Sequence, residues 1–194
     1  DYYASRGLGD VYKRQIKENR YSEAVALLKE TEFYPHNLGE GKLSNAEENE
    51  VDYYKGIAYQ KLGNDAESTK YLMKATQGST EPQQAFYYND QQPDKIFYQG
   101  LAWRALGEEN KARSRFNKLI DHGKKHLFDD CKIDYFAVSL PELAIWEDNL
   151  NIRNQIHCYY VMALGYSGLG KEELAEEYYE KVKRLDVNKQ VFRM

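Results

Sequence analysis

Small, aromatic and branched residues recur along this chain in three stretches with the same internal spacing. Gly56, Tyr59, Leu62-Gly63, Ser68, Leu72 and Ala75 are matched by Gly100, Trp103, Leu106-Gly107, Ala112, Phe116 and Leu119, and again by Ala163, Tyr166, Leu169-Gly170, Ala175, Tyr179 and Val182. Each stretch reads as two helices joined by a turn at the Leu-Gly. The spacing predicts helical pairs over about 46–77, 94–126 and 151–186, preceded by a partial unit over 16–32 in which Tyr21, Ala24, Leu28 and Thr31 fit the second helix. A spacing kept within units but not between them means one helical hairpin used repeatedly with different insertions.

Each offset has a packing reason. Gly56, Gly100 and Ala163 fall in first helices, opposite Ser68, Ala112 and Ala175 in second helices, and small side chains there let antiparallel helices approach closely. Tyr59, Trp103 and Tyr166, three residues on, fill the wedge beside that crossing, and each Gly after Leu tolerates the left-handed conformation just past a helix end. Leu72, Phe116 and Tyr179 lie one turn beyond the second small position and are expected to bury against the next pair. This set of residues resembles the tetratricopeptide repeat, without that repeat's usual proline after the second helix, where Val187 stands. The resemblance implies an all-α fold, a right-handed α-solenoid of helical hairpins.

The anchors Gly56 and Gly100 are 44 residues apart, and Gly100 and Ala163 are 63 apart. Against a plain unit of about 34 residues, the excess is about 10 and about 29 residues of insertion. The first, Gly78 to Pro93, carries Phe86-Tyr87-Tyr88, and the second, Leu127 to Asn149, carries Tyr135, Phe136, Val138, Leu140, Leu143, Ile145 and Trp146. Within it, Ser139-Leu-Pro-Glu142 reads as a capping box opening a short helix. Aromatic content of this kind is foreign to a solvated linker, so the first insertion is expected to pack across the mouth of its repeat, and the second either folds onto the array or forms half of a contact surface for another domain. An earlier connection, residues 33–42, holds Pro35, Gly39 and Gly41 and forbids a continuous helix.

Residues 1–15 are set apart. The run Arg6-Gly-Leu-Gly-Asp-Val-Tyr-Lys-Arg-Gln15 resembles a translated sequencing adapter at a broken reading frame; the other reading is an ordinary helix entering the first repeat, with Leu8, Val11 and Tyr12 as its apolar stripe. On the first reading the helical repeat domain is residues 16–194, part of a longer protein whose beginning, with any signal peptide, is not in this sequence.

The chain of 194 residues has a net charge of -4 and no basic block, so it lacks the electrostatic footprint of a nucleic-acid binder. Its longest apolar runs, such as Tyr159 to Leu164, are far below the ~20 residues a membrane span needs. Two cysteines, Cys131 and Cys158, make no disulfide framework, and cytoplasmic residence is the default expectation. Eighteen tyrosines stand out, many at repeat positions, where they serve either as core filler with hydroxyls at the edge or as part of a recognition surface.

Residues that could carry chemistry are few. His122 and His126, at i and i+4 and followed by Asp129, Asp130 and Cys131, would share a helical face and suit a metal, although Gly123 replaces the glutamate of a metalloprotease motif. The alternative is that they cap the carboxyl end of their helix. His157-Cys158 are adjacent on a helix and point about 100° apart, which suits burial better than a thiol and its base. No catalytic, metal or cofactor site is assigned, and the segment is expected not to be an enzyme.

First helices line the concave face in tetratricopeptide arrays. Register places Tyr53, Ile57 and Gln60, then Phe97, Leu101 and Arg104, then Tyr160, Leu164 and Ser167 there, an aromatic-lined candidate groove for a protein partner unless the insertions fill it. A narrower resemblance rests on Tyr34-Pro-His-Asn-Leu-Gly-Glu-Gly41, Ile120-Asp-His-Gly-Lys-Lys-His-Leu-Phe128, Asp134-Tyr-Phe-Ala-Val-Ser-Leu-Pro141, His157-Cys-Tyr-Tyr160 and Ala163-Leu-Gly-Tyr166. Together these look like a family of large bacterial proteins of unassigned function in which a β-domain similar to galactose mutarotase precedes helical repeats. The resemblance implies a C-terminal repeat portion that contacts a protein or its own N-terminal β-domain; the alternative is an accessory module of a carbohydrate-active enzyme.

Overall fold

The computed structural model describes residues 11–31, 48–84, 92–131 and 149–185, and these are helices and turns with no strand among them. In chain order the helices are α1 over 11–17, α2 Tyr21–Glu30, α3 Asn49–Lys61, α4 Asp65–Ala75, α5 Pro93–Ala105, α6 Glu109–His126, α7 Leu150–Gly168 and α8 Glu172–Leu185. The connection at 33–42, the aromatic triplet Phe86 to Tyr88, residues 132–148 with the capping box at Ser139, and Val187 lie outside the described residues. Contacts group the chain into two compact units, Asp1–Ser79 with Asp94–Ala112, and Thr80–Pro93 with Arg113–Met194.

The turns follow the Leu-Gly rule. Gly63, Gly107 and Gly170 have φ of 74°, 83° and 71°, and the amide just past each glycine bonds back to Tyr59, Trp103 or Tyr166 at 2.9–3.0 Å. The left-handed residue thereby closes the last turn of α3, α5 and α7. Asn64 then caps α4 by accepting from the Glu67 amide at 3.2 Å, and Asn149 caps α7 by accepting from Asn151 and Ile152.

In the first unit, α1 packs on α2 through Tyr12, which is buried with Ala24 and Leu28, while Val11 faces outward. Helices α3 and α4 meet at Gly56, where an added Cβ would lie 2.6 Å from Leu72 Cγ and 3.1 Å from the Leu72 amide. The nearest neighbour of Gly56 is therefore Leu72, one turn beyond Ser68, the partner the small-residue spacing predicts; Ser68 itself is buried. Leu72 and Ala75 go on to bury against Ala102 of α5, as expected of the position that faces the next pair.

The second unit repeats this logic with more glycine. Ala163 and Ala175 are buried together with Tyr166 and Tyr179 between α7 and α8. The antiparallel crossing of α6 and α7 is closer still. A Cβ on Gly165 would come within 2.6 Å of the Phe116 carbonyl and of Ile120, one on Gly168 within 2.2–2.6 Å of the Phe116 ring, and one on Gly123 within 2.6 Å of the Cys158 carbonyl.

Aromatic pairs cross the hairpins at one repeat position. Tyr59 and Tyr71 stack with centroids 5.6 Å apart and planes 9° from parallel, and Tyr166 and Tyr178 do the same at 5.4 Å and 13°. Arg115 stands where the middle repeat would place the second tyrosine, and Trp103 there takes Lys111 over its ring at 4.3 Å. Most tyrosines are buried or half-buried, with Tyr12, Tyr98, Tyr166 and Tyr179 among the core.

Candidate functional site

The first helices of the first unit present a continuous aromatic row. Tyr12 of α1 meets Tyr54 of α3 at 5.5 Å between centroids, Tyr54 and Tyr53 both meet Tyr98 of α5 at 5.7–5.8 Å, and Tyr98 meets Phe97 at 5.6 Å. The tilted and edge-on angles are those that ring quadrupoles favour. At one end the Tyr12 hydroxyl donates to Glu50 at 3.0 Å, and Lys13 pairs with the same carboxylate. Burial pushes the Tyr54 phenol up to about 12 and raises those of Tyr98 and Tyr53; for Tyr98 the Glu50 charge adds to the effect.

Within that row the predicted groove residues divide. Phe97 is 1 % exposed and serves as a core side chain of α5. Tyr53, Ile57 and Leu101 are half-buried, and Tyr53 and Ile57 pack on the cluster of Leu72, Ala75 and Ala102. Gln60 is exposed, as is Arg104, whose guanidinium reaches Glu109 at 3.0 and 3.3 Å. The face left open by α3 and α5 is thus an aromatic and aliphatic floor with one amide and one paired cation. Tyr54, Tyr98 and Tyr12, absent from the predicted set, hold its rings in place. The doublets Tyr53-Tyr54 and Phe97-Tyr98, at one register, were the signal for them.

In the second unit, Leu164 is 4 % exposed and buried in α7, and Tyr160 is half-buried with its ring 6.4 Å from that of Tyr179. Ser167 is also half-buried.

The carboxyl end of α6 gathers the histidines. His122 and His126 bring their rings to 4.6 Å between centroids, and His157 of α7 stands edge-on to His122 at 6.0 Å. His126 Nδ1 lies 2.6 Å from the Asp129 carboxylate, which also accepts from Gln84 at 3.3 Å. Burial, then the neighbouring His126, lowers His122 to about 4 and keeps it neutral near pH 7. His126 is the last residue of α6, where the capping alternative puts it, and Asn154 of α7 donates to its carbonyl at 2.6 Å. Beside these rings is a depression of about 320 Å³ lined by Glu81, Pro82, Lys118, Asp121, His122, Lys125 and His126.

The thiols are both free. Cys158 is fully buried, its Sγ 3.7 Å from Asn154 Oδ1, and burial pushes it up to about 12. Cys131 is half-buried, and burial followed by the charges of Asp129 and Asp130 raises it too. Neither is poised as a thiolate nucleophile.

Residues 96–122 match the family model of the tetratricopeptide repeat, a span that takes in most of α5 and of α6. No solved structure matches the chain. Among the described residues, no helix is long and apolar enough to cross a membrane.

Proposed function

We propose that this chain is a non-catalytic scaffold whose tetratricopeptide-type hairpins hold a protein partner or another domain of a longer protein. The observation that carries the reading is the half-open floor of Tyr53, Ile57 and Leu101 on α3 and α5, edged by Gln60 and Arg104. Tetratricopeptide repeats in general mediate protein–protein interaction, and large side chains held by their neighbours contribute contact area at small entropic cost. The protonated, buried Cys158 supports a structural rather than a catalytic use of that thiol. Cytoplasmic residence is part of the same proposal.

A photo-crosslinking residue at Gln60 should capture a partner that one at Lys70, exposed on α4, does not, and Arg104→Ala with Leu101→Ala should abolish the capture. Equal capture from both positions, or capture indifferent to those substitutions, sinks the proposal. Phe97 is unsuitable for this test because its removal would hollow the core.

The narrower reading makes the array the C-terminal portion of a larger bacterial protein with a mutarotase-like β-domain, and it rests on the ordered motifs from Tyr34 to Tyr166. The accessory role in a carbohydrate-active enzyme rests on the same likeness. A longer reading frame encoding a β-domain with paired acidic residues in a pocket would favour the enzyme, and one without it would remove both.

A further inference from the structure

The histidines at the end of α6 are not used by the scaffold proposed above, and their arrangement is that of metal ligands. Four observations converge on them. His122 and His126 are one helical turn apart, with ring centroids 4.6 Å from each other. The Nε2 of His122 is buried without a hydrogen-bond partner, a costly state for an imidazole nitrogen in a folded chain. His126 is tied through Nδ1 to the Asp129 carboxylate, which fixes its tautomer and leaves Nε2 as the basic nitrogen, the arrangement that carboxylates impose on metal-bound histidines. Both residues line the depression that also holds Asp121, a further oxygen donor, and Glu81, which is paired with Lys118.

We infer that His122 and His126 form a bidentate imidazole site for a divalent transition-metal ion, with Asp129 as the positioning residue behind His126. Among the described residues no three His, Cys, Asp or Glu side chains are already grouped as a ligand set, so solvent completes the coordination. Rings with centroids 4.6 Å apart, each bonded through nitrogen at about 2 Å, subtend about 90° at a shared ion. That is the cis angle of tetragonal Cu²⁺ or octahedral Ni²⁺ and is narrower than the tetrahedral angle of Zn²⁺.

The test is calorimetric titration of the tag-free, chelator-treated chain with NiCl₂ alone at pH 7. One equivalent should bind, and His126→Gln should lose it while the metal-free variant keeps the helical circular dichroism of the wild type. Asp129→Asn should weaken binding by about tenfold or more, without removing a ligand. In the wild type, Ni²⁺ should raise the melting temperature, and His122→Gln should remove that rise. Absence of binding, or binding indifferent to the loss of both imidazoles, overturns the site; an unchanged affinity in Asp129→Asn overturns the positioning role.

Discussion

Glycine does two different jobs in this chain, and the difference can be measured. At Gly63 the backbone is left-handed with nothing within 4 Å of an added Cβ, so Gly63→Ala should cost about 1 kcal/mol, all of it conformational. At Gly165 the conformation is helical but the Cβ would meet the Phe116 carbonyl at 2.6 Å, and backbone yields less easily than a flexible side chain. Gly165→Ala should therefore cost about 1–3 kcal/mol in urea unfolding, although alanine is the better helix former. Tyrosine brings a pH dependence. Tyr54 has a folded pKa of about 12 against 10.0 for the free side chain, so its stabilising contribution is complete below pH 10 and is lost as the pH rises through 12. Tyr98 shifts in the same direction. Alkaline titration should show phenolate absorbance from these rings appearing together with loss of helix, and Tyr54→Phe should flatten the fall in stability above pH 10 by the order of 2 kcal/mol. A fall in stability above pH 10 that is the same in the wild type and in Tyr54→Phe would contradict this.

At the scale of helices, buried amides close helix ends from elsewhere in the chain. Asn49 of α3 donates to the carbonyls of Ala75 and Gln77 at 2.8 and 2.9 Å, and Gln99 of α5 donates to those of Gln77 and Ser79 at 2.8 and 3.1 Å. Asn154 of α7 does the same for the last carbonyl of α6. The carboxyl ends of α4 and α6 are thus tied off by buried amides from first helices, which satisfies carbonyls that helix geometry leaves without donors. Asn49→Ala should cost about 1–3 kcal/mol and speed hydrogen exchange in the last turn of α4, with the α3–α4 turn at Gly63 little changed. The helical pairs were legible in the sequence because each turn repeats one local requirement: a leucine, then a residue free to adopt positive φ. The amide ties were not, since Asn49 and Asn154 sit at different register positions and act across long stretches of chain. Gly165 and Gly168 escaped for the same reason, their partner Phe116 lying in the preceding pair.

For the whole molecule, register nominates a candidate face but does not specify how open each position is. Tyr53, Phe97 and Tyr160 share one repeat position, yet Phe97 is core and the two tyrosines are half-buried, because exposure is decided by neighbours such as Tyr98 that the periodicity does not specify. The histidine cluster was legible in part: His122 and His126 announce themselves by spacing, whereas the edge-on approach of His157 depends on α7 crossing α6 at Gly123. Repeat proteins hold together mainly by contacts between neighbouring units, so damage should stay near its source. The division into two compact units sharpens that expectation. In the Gly165→Ala variant, hydrogen exchange should lose protection in α6, α7 and α8, around the strained α6–α7 crossing, while α3 and α4 keep theirs. Because the substitution lowers the cost of opening the second unit and leaves the first untouched, the urea transitions of a probe in α4 and a probe in α8 should lie further apart than in the wild type. Uniform loss of protection and a single shared transition would mean that the chain unfolds as one body, and the nearest-neighbour picture of its stability would then be wrong.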